Sequence, residues 1–223
     1  MSDLKVAFKI SLPILIGYLM LGGAFGILLG DAGFSVLWSI AMAVFIYAGA
    51  MQFVAVGLLS MGASLTSVFI LALVVNARQI LYAMAMFKDF SAFPLKTKLY
   101  MFFSLTDETF ALLSINSSIS QRAKFFLALL NHIYWILGCI IGSLIGDKFS
   151  IKGIEFVLSA VFVVILLEQI KTSKSYFGAS LGIVVALICL AIFGKESFLV
   201  PSMVAIIVLL FALKALRFKP LRD

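Results

Sequence analysis

Leu21-Gly22-Gly23-Ala24-Phe25-Gly26-Ile27-Leu28-Leu29-Gly30-Asp31 and Leu137-Gly138-Cys139-Ile140-Ile141-Gly142-Ser143-Leu144-Ile145-Gly146-Asp147 share one pattern, L-G-x-x-x-G-x-L-x-G-D. With one residue inserted, the register extends: Val44-Phe45 and Gln52 meet Val161-Phe162 and Gln169. In each copy the glycines recur every fourth residue, so Gly22, Gly26 and Gly30, and likewise Gly138, Gly142 and Gly146, form a stripe along one helix face. Such a stripe serves close helix packing. Repeated in two halves, it also points to a transporter with broken helices and a substrate site where the halves meet.

The surrounding composition places these helices in a bilayer. Of 223 residues, 64% are hydrophobic and 12% are charged, too few polar groups to cover a soluble globule. Residues 32 to 77 form an uncharged run of 46, which must traverse roughly 30 Å of hydrocarbon more than once at about 20 residues per crossing. Apolar segments fall at about 10–30, 35–59, 65–87, 99–118, 125–146, 153–170, 176–193 and 198–213. The expected fold is therefore all-α and polytopic, with about eight hydrophobic helices in a single transmembrane domain, 1–223. Its repeated halves are approximately 10–118 and 125–213.

The net charge of +7 comes from lysines and arginines between and beyond the apolar runs, as in Lys214, Arg217, Lys219 and Arg222. That distribution fits membrane topology and anionic headgroups, not nucleic acid. Cys139 and Cys189 lie inside apolar segments and indicate neither a disulfide framework nor a metal site. The first apolar segment reads as a retained span, not a removable signal. Loop charges leave two topologies open. In one, all eight segments cross and the amino terminus is inside; in the other, 99–118 enters and returns on one side, the terminus is outside, and the two halves are inverted.

Ionisable groups inside apolar helices cost about 2.5–3.5 kcal/mol each at a helix centre, so Arg78, Asp107 and Glu108 need partners or water. The guanidinium fork of Arg78, beside Asn76, suits a carboxylate. That carboxylate belongs either to Asp107 or Glu108, as a structural pair, or to a substrate. Asp107 and Glu108 are adjacent on a helix and point about 100° apart, so one is expected to face a cavity. A carboxyl there favours its neutral form unless a cation is near, which is the property ion coupling requires. Tyr47, Gln52 and Tyr82 bring polar ends to apolar helices, and His132 reads as a hydrogen-bonded packing residue. Enzymes are disfavoured, since neither H-E-x-x-H nor G-x-S-x-G occurs and there is one histidine.

Gly22-x-x-x-Gly26, Ala48-Gly49-Ala50-Met51-Gln52-Phe53, Asn76-Ala77-Arg78, Leu105-Thr106-Asp107-Glu108-Thr109-Phe110-Ala111 and Gly153-Ile154-Glu155-Phe156 resemble, in order, the AzlC family. This chain has Gln79 where the family commonly has histidine, and Glu155 where it commonly has aspartate. The resemblance implies a large subunit of a bacterial branched-chain amino-acid exporter, multi-pass in the inner membrane and driven by the proton gradient. A small hydrophobic AzlD-type subunit is the implied partner. On this reading Asn76 and Arg78, with Gln52 and Tyr47, bind an amino-acid substrate, and Asp107 or Glu108 couples the ion. No cofactor or metal is expected. The alternatives are a pore-type channel, with unsaturated flux, and an accessory membrane subunit for another small molecule.

Overall fold

In the computed structural model the described residues are 2–60, 62–146 and 176–198, with 163, 167, 201–202, 204–206, 208–209 and 212. Most of the expected segments 153–170 and 198–213 lies outside them, as do Glu155 and Gln169. Every regular element among the described residues is helical. The chain forms two compact units, Met1–Val161 and Phe162–Asp223. This is a division by contact, whereas the expected halves are defined by sequence similarity.

Among the described residues, the first unit has seven helices: α1 (Asp3–Asp31), α2 (Val36–Phe45), α3 (Gly49–Ser60), α4 (Leu65–Met86), α5 (Leu95–Phe103), α6 (Asp107–Ile115) and α7 (Gln121–Gly146). In the second, α8 (Phe177–Ser197) is interrupted at Gly194, whose φ of 72° is open to glycine. By length and composition α1, α4 and α7 can each cross a membrane.

The glycine stripes explain the centre of the first unit. A Cβ on Gly22 would meet the backbone of Cys139 and Trp135 at 3.0 Å, and one on Gly146 would come within 2.9 Å of Ile27 Cα. The two copies of the motif are therefore packed on each other, with α1 and α7 in backbone contact, as small-residue stripes permit. The helices run parallel. Near their starts Ser120 Oγ donates to Asp3 Oδ1, further on Ser11 meets the Tyr134 hydroxyl, and near their ends Ser143 Oγ donates to the Gly26 carbonyl, at nearly constant separations of 117, 123 and 117 positions.

Segments 35–59 and 99–118 are broken, not continuous. The breaks fall at Ile46–Ala48 and Ser104–Thr106. With ten, twelve, nine and nine residues, α2, α3, α5 and α6 are about 14–18 Å long, so none reaches across the roughly 30 Å hydrocarbon layer. Each pair turns back. On the way in, Ser39 of α2 donates to the Cys139 carbonyl and the Ala43 carbonyl meets His132, seven positions earlier on α7. On the way out, Gly49 lies against the Trp135 ring near the middle of α7, and Phe53 lies against Phe25, nearer the far end of α1.

The other pair approaches from the opposite end. Tyr100 of α5 bonds His132, and Thr106 reaches Tyr18 at mid-helix. Thr109 of α6 then bonds Asn131, Leu113 joins the cluster containing Ala7, Leu127 and Ala128, and Ser120 reaches Asp3 at the starting end. Two helical hairpins thus enter from opposite ends of the α1–α7 pair, and their tips meet near its middle. Because both turn back, α1 and α7 stay parallel. Turning back at 99–118 thus does not invert these two helices, as it would if 35–59 crossed.

Candidate functional site at the hairpin tips

Each tip is built by a local backbone device. At the α2 end, the N–H groups of Ile46 and Tyr47 both reach the Met42 carbonyl, and Tyr47 adopts φ 44°, in the left-handed region. For a residue with a Cβ this costs roughly 1–2 kcal/mol. Its ring lies on His132, with centroids 4.2 Å apart, which fixes the turn. At the other tip, Thr106 caps α6: its backbone is extended and its Oγ1 accepts from the Thr109 N–H at 3.2 Å. Asp107 and Glu108 follow in the first helical turn, where the helix dipole favours negative charge.

The two carboxylates diverge as adjacent helical residues must. Asp107 faces α4, where its Oδ2 is 2.8 Å from Arg78 Nη2 and its Oδ1 accepts from the Tyr82 hydroxyl at 2.7 Å. Tyr82 is held by stacking on Phe110, centroids 4.3 Å apart. Glu108 faces α1 instead, accepting from the Tyr18 hydroxyl at 2.8 Å. That hydroxyl is also 2.6 Å from Thr106 Oγ1. Thr106 continues to Thr109 Oγ1 at 3.0 Å, and Asn131 Nδ2 donates to the same Thr109 oxygen at 3.1 Å. A buried polar chain therefore runs from α1 through the α6 tip to α7.

The α2–α3 tip closes the other side. His132 is bonded at both ring nitrogens, to Tyr100 and to the Ala43 carbonyl, in keeping with its reading as a packing residue. Trp135 Nε1 donates to Gln52 Oε1 at 3.0 Å. Three buried polar atoms lack a hydrogen-bond partner here: Tyr47 Oη, Gln52 Nε2 and Asn131 Oδ1. Tyr47 Oη lies beside Tyr18 and Thr109 without meeting either in hydrogen-bond geometry. Leaving such groups dry costs about 1–3 kcal/mol each, unusual where neighbouring polar groups are well paired.

Of the residues singled out from sequence, Tyr47, Gln52 and Glu108 come together at the tips, and Arg78 joins Asp107 beside them. Asn76 does not share Arg78's direction, because residues two apart on continuous α4 point to opposite sides. Tyr18, Thr106, Thr109, Asn131 and Trp135 complete the centre and were not singled out. Their signal was the adjacent polar pair Asn131-His132 and the lone Tyr18 within apolar helices. A separate cavity of about 770 Å³ lies at the starting end of α1 and α7, lined by Leu4, Phe93, Pro94, Arg122, Phe125 and Phe126 among others.

Comparison with known proteins places the chain among membrane proteins. Across 219 residues the chain is 44% identical to an uncharacterised membrane protein of Helicobacter pylori (strain ATCC 700392 / 26695), covering 96% of this chain and 94% of the relative. It is 37% identical over 219 residues to the branched-chain amino acid transport protein AzlC of Bacillus subtilis (strain 168), covering 94% and 85%. Over 179 residues it is 31% identical to the inner membrane protein YgaZ of Escherichia coli (strain K12), covering 75% and 73%. No solved structure matches. Residues 13–149 match the family described as AzlC protein, and the chain is a polytopic membrane protein that belongs to the AzlC family.

Proposed function

We propose that this chain is the transport subunit of a secondary exporter in the bacterial inner membrane, moving branched-chain or similar apolar amino acids outward without chemical conversion as protons return. One observation carries the reading: two half-length helical hairpins from opposite faces meet at a buried polar centre between α1 and α7. Broken helices supply unpaired backbone groups and side chains at membrane depth, and a site between two hairpins can open to either face by moving one of them. Family membership and the printed name of the Bacillus relative support the substrate class.

Charge supports an orientation. Among the described residues of the first unit, Lys5, Lys9, Lys88, Lys96, Lys98, Arg122 and Lys124 belong to the starting end of α1 and α7, whereas Asp31 ends α1 at the other. The basic end is cytoplasmic on the positive-inside rule, so α5–α6 is the inner hairpin and α2–α3 the outer. Glu108, on the inner tip and bonded to Tyr18, is the proton-coupling candidate. Arg78 with Asp107 ties that tip to α4, whose apolar side chains Leu65, Phe69, Leu73, Ile80, Leu81 and Met84 are exposed. Against this helix the reading places the small AzlD-type subunit.

The test is efflux. Cells expressing the chain with its membrane partner and fed leucine- or valine-releasing dipeptides should hold less free leucine and valine than cells without it. Unchanged internal levels, with both proteins verified in the membrane, would refute the substrate class.

A further inference from the structure

We infer that the unpartnered atoms at the hairpin tips form a receptor for a zwitterion, sorted so that one side takes the substrate carboxylate and the other its ammonium group. The inference rests on the amino-acid transport reading and deepens it. Among the three orphaned groups, Tyr47 O–H and Gln52 N–H₂ are donors, and both come from the outer tip. They flank the start of α3, whose first N–H groups also lack intrahelical acceptors. The third, Asn131 Oδ1, is an acceptor on α7, and the neighbouring Glu108 carboxylate on the inner tip is another.

The residues that bear these atoms are themselves fixed. Gln52 is held through its other amide atom by Trp135, Asn131 through its Nδ2 by Thr109, and Tyr47 through its ring by His132. Gln52 and Asn131 are fully buried, and Tyr47 is 2% exposed. Each thus keeps one buried polar group unused, two donors and an acceptor in all, a preorganised complement to a ligand with opposite charges on adjacent atoms. Phe25, in ring contact with both Phe53 and Trp135, forms with them an apolar wall for the aliphatic side chain. Arg78 is not part of the receptor, because Asp107 already occupies its guanidinium.

Everted vesicles from cells expressing the full chain with its partner test this by leucine accumulation, with leucinamide (no carboxylate) and 4-methylpentanoate (no ammonium) as competitors. Tyr47→Phe and Gln52→Glu should each weaken leucine by about tenfold or more, the usual worth of a hydrogen bond to a charged group, while inhibition by leucinamide stays near wild type. Gln52→Glu keeps the acceptor for Trp135, so its loss reports the missing donor together with repulsion of a carboxylate at that position. Asn131→Leu should weaken leucine and leucinamide but not 4-methylpentanoate, and Asn131→Asp, which keeps the acceptor, should retain leucine. Variants that shift all three compounds equally, or none, overturn the receptor while leaving leucine transport standing. Wild-type vesicles that accumulate no leucine overturn the transport reading and the receptor with it.

Discussion

Gly142→Ala should be among the most damaging single-methyl additions in the protein. A Cβ at Gly142 would stand 2.6 Å from both C and Cα of Gly23, and closer still to the Gly23 carbonyl oxygen. Ordinary contact begins at 3.4 Å, so α7 must retreat from α1 by more than about 0.8 Å against backbone that has no rotamer to yield. Overpacking of this kind costs about 1–3 kcal/mol. At about 2–4 °C per kcal/mol for a chain of this length, the melting temperature should fall by roughly 4–8 °C for ~2 kcal/mol. The matched control is Gly17→Ala on α1, where nothing lies within 4 Å of the added methyl and helix propensity favours alanine by up to about 1 kcal/mol. Melting in detergent, followed by size-exclusion chromatography of the heated samples, reads both. Gly142→Ala melting at or above Gly17→Ala would refute the backbone contact between the two glycine stripes.

Three further outcomes follow from the charged residues. Arg78→Lys keeps the charge but loses the planar fork at Asp107, so transport should fall several-fold at unchanged membrane abundance; wild-type rates would show that charge alone suffices. Glu108→Gln, which keeps an acceptor oxygen for the substrate ammonium but loses the charge, should abolish the dependence of export on a pH gradient while substrate exchange persists at weaker affinity, whereas Asp107→Asn should slow both export and exchange without removing that dependence; equal effects would remove Glu108 from proton coupling. At the basic end, Lys124 is nearly buried and 3.1 Å from Asp89, so Asp89→Ala should lower the melting temperature more than Lys124→Met, which leaves no buried charge; the reverse order would contradict that pairing.

Much of the fold was legible because its determinants are periodic. Glycines every fourth residue announce a packing stripe at Gly22 and again at Gly138, and the structure joins the two stripes to each other. Asp107 and Glu108 stood out because charge inside hydrocarbon is costly, and Asp107 with Arg78 is one of the two pairings their chemistry allowed. The break at Ile46–Ala48 was not legible: residues 35–59 hold no proline and no charge, and the left-handed turn falls on Tyr47, not on Gly49 two positions later. What stabilises that turn is His132, far away in sequence. Asn131, Thr109 and Tyr18 escaped notice for a related reason. Each is an unremarkable polar residue on its own helix, and only the meeting of the hairpin tips gives them a common purpose.

The central claim, that the two broken helices turn back from opposite faces, is tested most directly by single cysteines and a membrane-impermeant maleimide. The exposed positions Lys96 and Ser117 flank the inner hairpin, and Ser35 and Thr66 flank the outer one. Right-side-out vesicles should label Ser35→Cys and Thr66→Cys; inverted vesicles should label Lys96→Cys and Ser117→Cys. A flanking pair divided between the two faces would mean that its segment crosses the membrane, contradicting the hairpin and the site built on it.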